Sequence, residues 1–543
     1  MNRQIKNILG LITMSLSITG IQAQEPKTNT SNLFTKFLQK PVTRKEIVLA
    51  SATGIAGFSA YKLTRNYNIL DYVQNNWRTL TGVACVGTGL WYLYQKLYPV
   101  PAQTNGYGEQ FATILPKNIV TPDSVEQLQE IVHLSGQAQQ KISIIGAGKS
   151  QGGQVVSSDA LMIDLKKLNK VIRLDIENKL VTVQTGITWK QLQEILNPHD
   201  LAISAMQSYA DFSVGGSLSV SAHGQDFHSG TVSDTVIAFK LITADGKLIS
   251  VSKTENHELF KLALGGYGLF GIITEVTLAL TKDMLLSKEV CTLDASDYVT
   301  YFLKNIKTDP TVALHSARLS VSPSALFEQV VVVTYKNIGE KKDQAQLQAL
   351  AHIKRDQLFF DYLRKYSWVK EIRILIESSF EKPEIVTRNN AMGASIVNIQ
   401  NGVKNTRDIL QQYYVPEDKL ELFIAALKKV VTSHQVNLLN ATIRYVKKTE
   451  NIYLQYAPQD CFAIVLFINV PDSSSGYTHA QLWTQELIDE AIKLSGTFYL
   501  PYVLFATKEQ LVKSYPMFPE FIALKKKYDP QELFTNQLYK KYA

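Results

Sequence analysis

The spacing of apolar and polar positions divides the chain into a front hundred residues of long apolar runs and a remainder of short strand-like runs between amphipathic helices. The long runs are Ile8 to Ile21, Ile47 to Leu63 and Thr79 to Tyr94. From about Gly106 the pattern changes. Thr121-Pro122-Asp123-Ser124 precedes Val125, Leu128, Ile131 and Val132, a capping cluster followed by helical spacing. Short apolar runs predict strands at Lys141 to Ile145, Leu161 to Asp164, Val171 to Asp175, Leu180 to Gln184 and Val236 to Thr243, the last ending in the turn Ala244-Asp245-Gly246. Among them, Gly186-Ile187-Thr188-Trp189 opens a helix that carries Leu192, Ile195 and Leu196. Strands such as Gln329 to Thr334 and Phe462 to Val470, and helices such as Leu420 to Val431, continue the mixture over Leu285 to Thr497. Elements of these lengths in this order predict an α+β protein.

The front segment reads differently. Arg3 and Lys6 precede the first apolar run, the charge-then-apolar order of a secretory leader. Ala23 suits the position before a cut, but Ile21 is bulky where a small residue is usual, so residues 1–24 are expected to be a signal peptide or an uncleaved anchor. The next two runs are slightly short of the roughly 20 residues that span a bilayer. They are flanked by Arg44, Lys45, Lys62, Arg65, Arg78 and Lys96, contain Gly54, Gly57, Gly82, Gly87 and Gly89, and end on Trp91, Tyr92 and Tyr94. Close helix approach and an interfacial aromatic belt predict a membrane hairpin within 25–105, with two buried or surface-lying amphipathic helices as the alternative. The expected location is membrane-associated or exported, of the bacterial inner-membrane or periplasmic kind.

With 543 residues, 45% of them hydrophobic, the chain is long enough for at least two packed domains. The net charge of +8 is interspersed with acids and forms no long basic tract, which argues against a nucleic-acid partner. Cys85, Cys291 and Cys461 are too far apart for a local redox pair or zinc knuckle. His223 and His228 lie in a Gly/Ser-rich stretch without a metal-site pattern, so no metal is expected.

Glycine carries the candidate chemistry. The strand Lys141 to Ile145 runs into Gly146-Ala147-Gly148-Lys149-Ser150-Gln151-Gly152-Gly153-Gln154, where backbone N–H groups face outward without Cβ obstruction, as a phosphate cradle requires. The spacing is neither that of a P-loop nor that of a dinucleotide fingerprint opening a helix, so the loop alone is equally compatible with a turn. A second small-residue segment runs from Phe212 through Val214-Gly215-Gly216-Ser217-Leu218-Ser219 to His223-Gly224. Gly230-Thr231-Val232-Ser233-Asp234 and Leu264-Gly265-Gly266-Tyr267-Gly268-Leu269-Phe270-Gly271-Ile272-Ile273-Thr274 complete the series. Two glycine-lined backbone surfaces suggest a long ligand laid between them.

In this ordered series, residues from about Phe111 to Leu280 resemble the PCMH-type FAD domain of the vanillyl-alcohol-oxidase family, shared by aldonolactone and alditol oxidases, decaprenylphosphoryl-ribose oxidases and cytokinin dehydrogenases. The resemblance implies a two-subdomain FAD-binding domain over 106–283, an α+β substrate or cap domain over 284–497, and a return to the FAD side over 498–543. It implies cofactor contacts at Gly146, Gly148, Lys149, Ser150, Gln151 and Gln154, at Gly215, Gly216 and Ser219, and at Ser233, Asp234, Gly268, Gly271 and Ile273. Lys149 stands where many relatives carry a histidine linked covalently to the flavin, so non-covalent FAD is expected.

Further along, Gln411-Gln412-Tyr413-Tyr414-Val415-Pro416 is similar to the E-Y-x-V-P element of aldonolactone oxidases, and Tyr528-Asp529-Pro530 through Phe534 to Asn536 is similar to their D-P-x-x-x-F-x-N ending. Ala441 to Lys448 resembles their E-x-R strand with Thr442 in place of the glutamate; Tyr499-Leu500-Pro501-Tyr502 resembles a Y-L-x-K segment with Tyr502 in place of the lysine. The implied activity is oxidation of a CH–OH group in a sugar, lactone, polyol or lipid-linked sugar by hydride transfer to flavin N5, with Arg444, Tyr502 and Asn536 as candidate catalytic residues. The electron acceptor, whether oxygen, a quinone or a protein, stays open. The two missing charges keep a second expectation in view, a membrane-associated FAD fold that binds or scaffolds with little turnover.

Overall fold

The computed structural model describes residues 116, 118–341, 346–348, 353–380 and 383–543. The leader and hairpin expected within 1–105 lie outside these residues. Among the described residues, no helix is long and apolar enough to cross a membrane.

Three sheets organise the chain. In the first, β1 (Asn118–Val120), β2 (Ile142–Ile145) and β3 (Leu161–Asp164) run parallel in the order β1-β3-β2. The helix Val125–Gln137 carries the chain from β1 to β2, on the far side of β3. Its Ser124 Oγ accepts the Gln127 N–H at 3.1 Å, and its Leu128 and Val132 are fully buried against Ile142 and Ile163. The end of the chain packs into the same core: Ile142 N–H donates to Leu533 O (2.7 Å), Thr535 N–H donates to Ile142 O (2.8 Å), and Phe534 is fully buried.

The second sheet contains β4 (Val171–Asp175), β5 (Leu180–Gln184), β6 (Leu201–Ile203), β7 (Val236–Ile242), β8 (Leu248–Ser252) and β9 (Ile272–Lys282), ordered β4-β5-β9-β7-β8 with β6 paired to β9. Only Asp283 separates β9 from β10 (Met284–Asp294), which opens the third sheet. That sheet adds β11 (Val312–Leu319), β12 (Gln329–Glu340), β13 (Glu384–Thr387), β14 (Thr406–Pro416), β15 (Leu438–Val446), β16 (Cys461–Pro471) and β17 (Thr497–Phe498). Its order is β13-β10-β12-β11-β15-β16-β14-β17, antiparallel throughout. Long helices Leu420–Ser433 and Ser474–Lys493 accompany it, and the mixture of segregated sheets and helices is α+β.

Register in the third sheet decides which side chains meet. Thr442 and Gln412 both pair with Val465, and Arg444 and Tyr414 both pair with Ala463. Directly opposed residues share a face, so β15 presents Thr442 and Arg444 on the face where β14 presents Gln412 and Tyr414.

Candidate functional site

The first glycine loop is held so closely that side chains are excluded. A Cβ built on Gly146 would lie 2.1 Å from Ser213 Oγ, and one on Gly152 would lie 2.2 Å from Tyr502 O. Gly148 and Gly153 adopt positive φ, +68° and +79°, where glycine alone is unstrained. Ala147 N–H donates to Ser213 Oγ (3.1 Å), whereas the N–H groups of Gly148, Lys149 and Ser150 make no bond to a described residue. Three successive backbone donors beside an exposed Lys149 suit an anionic group such as a pyrophosphate.

Two buried glutamines fasten this loop. Gln154 Nε2 donates to Leu500 O (2.6 Å) and Tyr502 O (3.2 Å), and its Oε1 accepts the Gly152 N–H (3.1 Å) and the Ser150 hydroxyl. Gln151 Oε1 accepts the Leu410 N–H of β14 at 2.8 Å. Both expected contacts therefore act here as struts between the loop, the third sheet and the 500–502 segment.

The second glycine segment is a short helix, Val214–Ser219. Ser213 caps it through Gly216 N–H (3.3 Å) with the same Oγ that receives Ala147 N–H, so one hydroxyl joins the two glycine surfaces. Gly215 packs on β5's end: its N–H donates to Thr185 O (2.8 Å), and an added Cβ would come within 2.9 Å of Thr185 Cβ. Ser219 Oγ bonds Gly215 O (2.8 Å), and Ser219 O accepts Tyr267 N–H (2.9 Å).

The remaining cofactor candidates line the neighbouring turns. Asp234 closes the Gly230–Asp234 turn by accepting Thr231 N–H (2.7 Å) and Oγ1–H (2.9 Å), and ties it to Asn451 Nδ2 (2.7 Å). Ser233 Oγ is buried without a hydrogen-bond partner. Gly268 has φ +72° against Ile144, Gly271 has φ +137° against Ile242 O, and Ile273 is buried on β9. Asn536 is 2% exposed; its Oδ1 caps the last helix at Tyr539 N–H (3.0 Å) and its Nδ2 donates to Tyr267 O (2.9 Å). It thereby holds the backbone of the residue that precedes Gly268.

Arg444 and Tyr502 belong together. Arg444 Nη2 bonds Ser208 Oγ, and its charge acts on the phenols of Tyr502, Tyr209 and Tyr414. Burial depresses the guanidinium's pKa against the pull of those phenols. Burial also pushes Tyr502 up to about 12, with Arg444 opposing, so at neutral pH its Oη carries a proton and works as a donor, not a phenolate base. Tyr502 Oη donates to Gln412 Oε1 (3.4 Å); Gln412 Nε2 reaches Tyr414 Oη (2.8 Å) and His223 Nε2 (2.5 Å). Burial, reinforced by Arg444, drives His223 down to about 3, which keeps the imidazole neutral.

A tyrosine wall backs this cluster. Ring centroids of Tyr414 and Tyr456 are 4.7 Å apart, those of Tyr456 and Tyr499 5.0 Å, and those of Tyr499 and Tyr502 5.6 Å. Tyr456 Oη donates to Ser221 O (2.6 Å) and Tyr499 Oη to Val220 O (2.9 Å), pinning the backbone just after the second glycine segment, where Ser221 takes φ +47°.

His223, Gln412, Ser208, Tyr209, Tyr456 and Tyr499 were not singled out from sequence as site residues. The available signal was the i, i+2 pair Gln412 and Tyr414 on a strand, which puts both on one face. No sequence signal joins them to His223, 189 residues away from Gln412. Among the described residues, no three His, Cys, Asp or Glu side chains form a metal-holding group.

Residues 116–252 match the family model described as an FAD binding domain, so the chain carries an FAD-binding domain there. L-gulonolactone oxidase from Bos taurus is 32% identical over 163 residues, covering 30% of this chain and 37% of that protein. A putative D-arabinono-1,4-lactone oxidase from Neurospora crassa is 33% identical over 165 residues, 30% of each chain. The mitochondrial L-galactono-1,4-lactone dehydrogenase of Arabidopsis thaliana is 33% identical over 162 residues, covering 30% of this chain and 26% of the relative. The chain thus matches about a third of the length of these curated relatives.

Proposed function

We propose, from the premise that residues 116–252 are an FAD-binding domain, that the protein is an FAD-dependent oxidoreductase acting on a CH–OH group of a sugar-derived small molecule such as a lactone or polyol. The observation that carries this reading is the junction at His223. This residue belongs to the matched region, and it is bonded to Gln412 and Tyr414 of the eight-stranded sheet, beside Arg444 and Tyr502. Polar side chains of a second sheet thereby converge on the backbone that leaves the second glycine segment.

In this reading 106–283 is the FAD domain, 284–497 the substrate domain and 498–543 the returning tail. Gly146, Gly148, Lys149, Ser150, Gln151 and Gln154 would hold the pyrophosphate, with the unbonded N–H groups of 148–150 as its donors. Gly215, Gly216 and Ser219 would flank the flavin ring, and Ser233, Asp234, Gly268, Gly271 and Ile273 would line the adenine side. FAD, when bound, supplies the hydride acceptor. Arg444 holds a substrate oxygen, the Tyr502 hydroxyl turns from Gln412 Oε1 to donate to it, and His223 stays neutral. Asn536 positions the Tyr267 carbonyl beside Gly268. That the relatives are lactone oxidases and a lactone dehydrogenase supports a lactone-like substrate. Oxygen, a quinone or a protein takes the electrons, residues 1–24 serve as a signal peptide or anchor, and 25–105 hold the membrane-hairpin candidate and linker.

The test is an absorbance spectrum of the purified full chain, followed by acid precipitation and anaerobic titration with aldonolactones and alditols. Yellow supernatant after precipitation and bleaching by one of these compounds are expected. A colourless protein that takes up no added FAD overturns the reading; flavin retained in the pellet overturns its non-covalent attachment.

A further inference from the structure

Arg444 carries a charge that its own surroundings do not balance. Its Nη2 bonds a neutral hydroxyl, Ser208 Oγ; its Nε is shut off from solvent without a hydrogen-bond partner; and the ionisable groups in its field are three phenols and the neutral His223 imidazole. Among the described residues no carboxylate pairs with it. Two buried guanidinium groups elsewhere in the fold are met by carboxylates: Arg364 is clasped by Asp361 (2.8 Å) and Asp408, and Arg388 by Asp226 (2.6 Å). A buried cation is tolerated when an anion meets it and is otherwise costly.

Thr442 sharpens the contrast. It lies two residues before Arg444 on the same face of β15, and its hydroxyl accepts Asn440 Nδ2 at 2.8 Å. A carboxylate at this position would neutralise Arg444 from within the protein; threonine leaves the charge available. The hydroxyls around it, from Ser208, Tyr209 and Tyr502, are able to donate to the same anion.

We propose that the counter-ion arrives with the substrate, which is a sugar acid whose carboxylate binds Arg444. This deepens the oxidoreductase reading and rests on it. A planar carboxylate matches two N–H groups of one guanidinium, and its single negative charge matches one cation; a phosphate dianion calls for more. The carboxylate is a handle and takes no part in the redox step. The carbinol carbon loses a hydride to FAD and its hydroxyl loses a proton to solvent, so two electrons leave and a carbonyl forms.

The FAD-loaded full chain is titrated calorimetrically with D-galacturonate, D-galactose, D-galactono-1,4-lactone and galactose 6-phosphate, alongside R444Q, R444K and T442E. Galacturonate is expected to bind at least about tenfold more tightly than galactose or the lactone, the size of one modest charge contact. R444Q should abolish that preference, R444K should keep part of it, and T442E should remove it by supplying an internal anion. The proposal is overturned if wild type binds galactose or the lactone as tightly as galacturonate, or prefers the phosphate. It is also overturned if R444Q changes the flavin midpoint potential while sugar selectivity stays the same, since Arg444 would then serve the ring. Because R444Q risks misfolding, R444K and T442E must move selectivity in the stated directions independently. Reduction of the bound flavin by neutral sugars only would sink this inference and keep the oxidoreductase reading; galacturonate binding to a chain that takes up no FAD would do the reverse.

Discussion

At Gly146 a single missing carbon allows two segments to touch. Ser213 Oγ occupies the space a side chain would need and uses it to accept Ala147 N–H and Gly216 N–H. Gly146→Ala is therefore expected to push the loop off the short helix, destabilising the protein by about 1–3 kcal/mol, the usual size of a small overpacking effect. Flavin content should fall with it. Removing Ser213 Oγ relieves the worst contact, leaving Ser213 Cβ at 3.2 Å. The double variant Gly146→Ala/Ser213→Ala should thus cost less than the sum of its singles. Thermal melts and flavin-to-protein ratios of all three variants measure this, and strict additivity would refute it.

Among the elements, the helix Val214–Ser219 is instructive because its sequence carries no helical periodicity. Small residues dominate it, and it exists because Ser213 caps its start while Gly215 N–H donates to Thr185 O and Leu218 O accepts Gly265 N–H. The loop 146–154 is similarly defined by what it touches. Gln154 spans to the carbonyls of Leu500 and Tyr502, so it links the proposed phosphate cradle to the segment that bears Tyr502. Gln154→Leu removes those bonds and strands two buried carbonyls, a loss of about 1–3 kcal/mol. With the oxidoreductase reading correct, turnover should fall more than flavin affinity, because Tyr502 loses its anchor while the N–H donors at 148–150 remain. Equal losses in both would place Gln154's importance in the cofactor alone.

Across the whole molecule, burial sets the acid response. His223 and His315 are both driven from the ordinary 6.5 down to about 3, chiefly by desolvation. His315 bonds Tyr298 Oη (2.9 Å) and Thr334 Oγ1 (3.2 Å) deep in the third sheet. Between pH 6.5 and about 3 the unfolded chain takes up protons that the folded chain refuses. Stability is therefore fully present above 6.5 and falls as pH falls, by up to about 1.4 kcal/mol per pH unit for each histidine. His315→Asn should be less stable than wild type at pH 7.5, and the gap should narrow toward pH 4.5 in urea unfolding. A gap that stays constant with pH contradicts a neutral, buried His315.

Requirements confined to a few consecutive residues were readable from the sequence. Gly148 and Gly153 need backbone angles open to glycine, Ser124 and Thr188 cap the helices that follow them, and the apolar runs of β2, β3 and β5 mark their strands. These are local properties of φ, ψ and side-chain reach, so the glycine series and the FAD-binding character of 116–252 could be recognised in order along the chain. The polar cluster had to wait for the tertiary structure. Arg444 meets Ser208 across 236 positions and Gln412 meets His223 across 189, through the register of β14, β15 and β16. Whether Tyr502 is a base or a donor, whether His223 is charged, and whether Arg444 has a counter-ion all depend on desolvation and on neighbours brought from elsewhere. Those are properties of the packed fold, because the cost of burying a charge is set by everything that surrounds it in space.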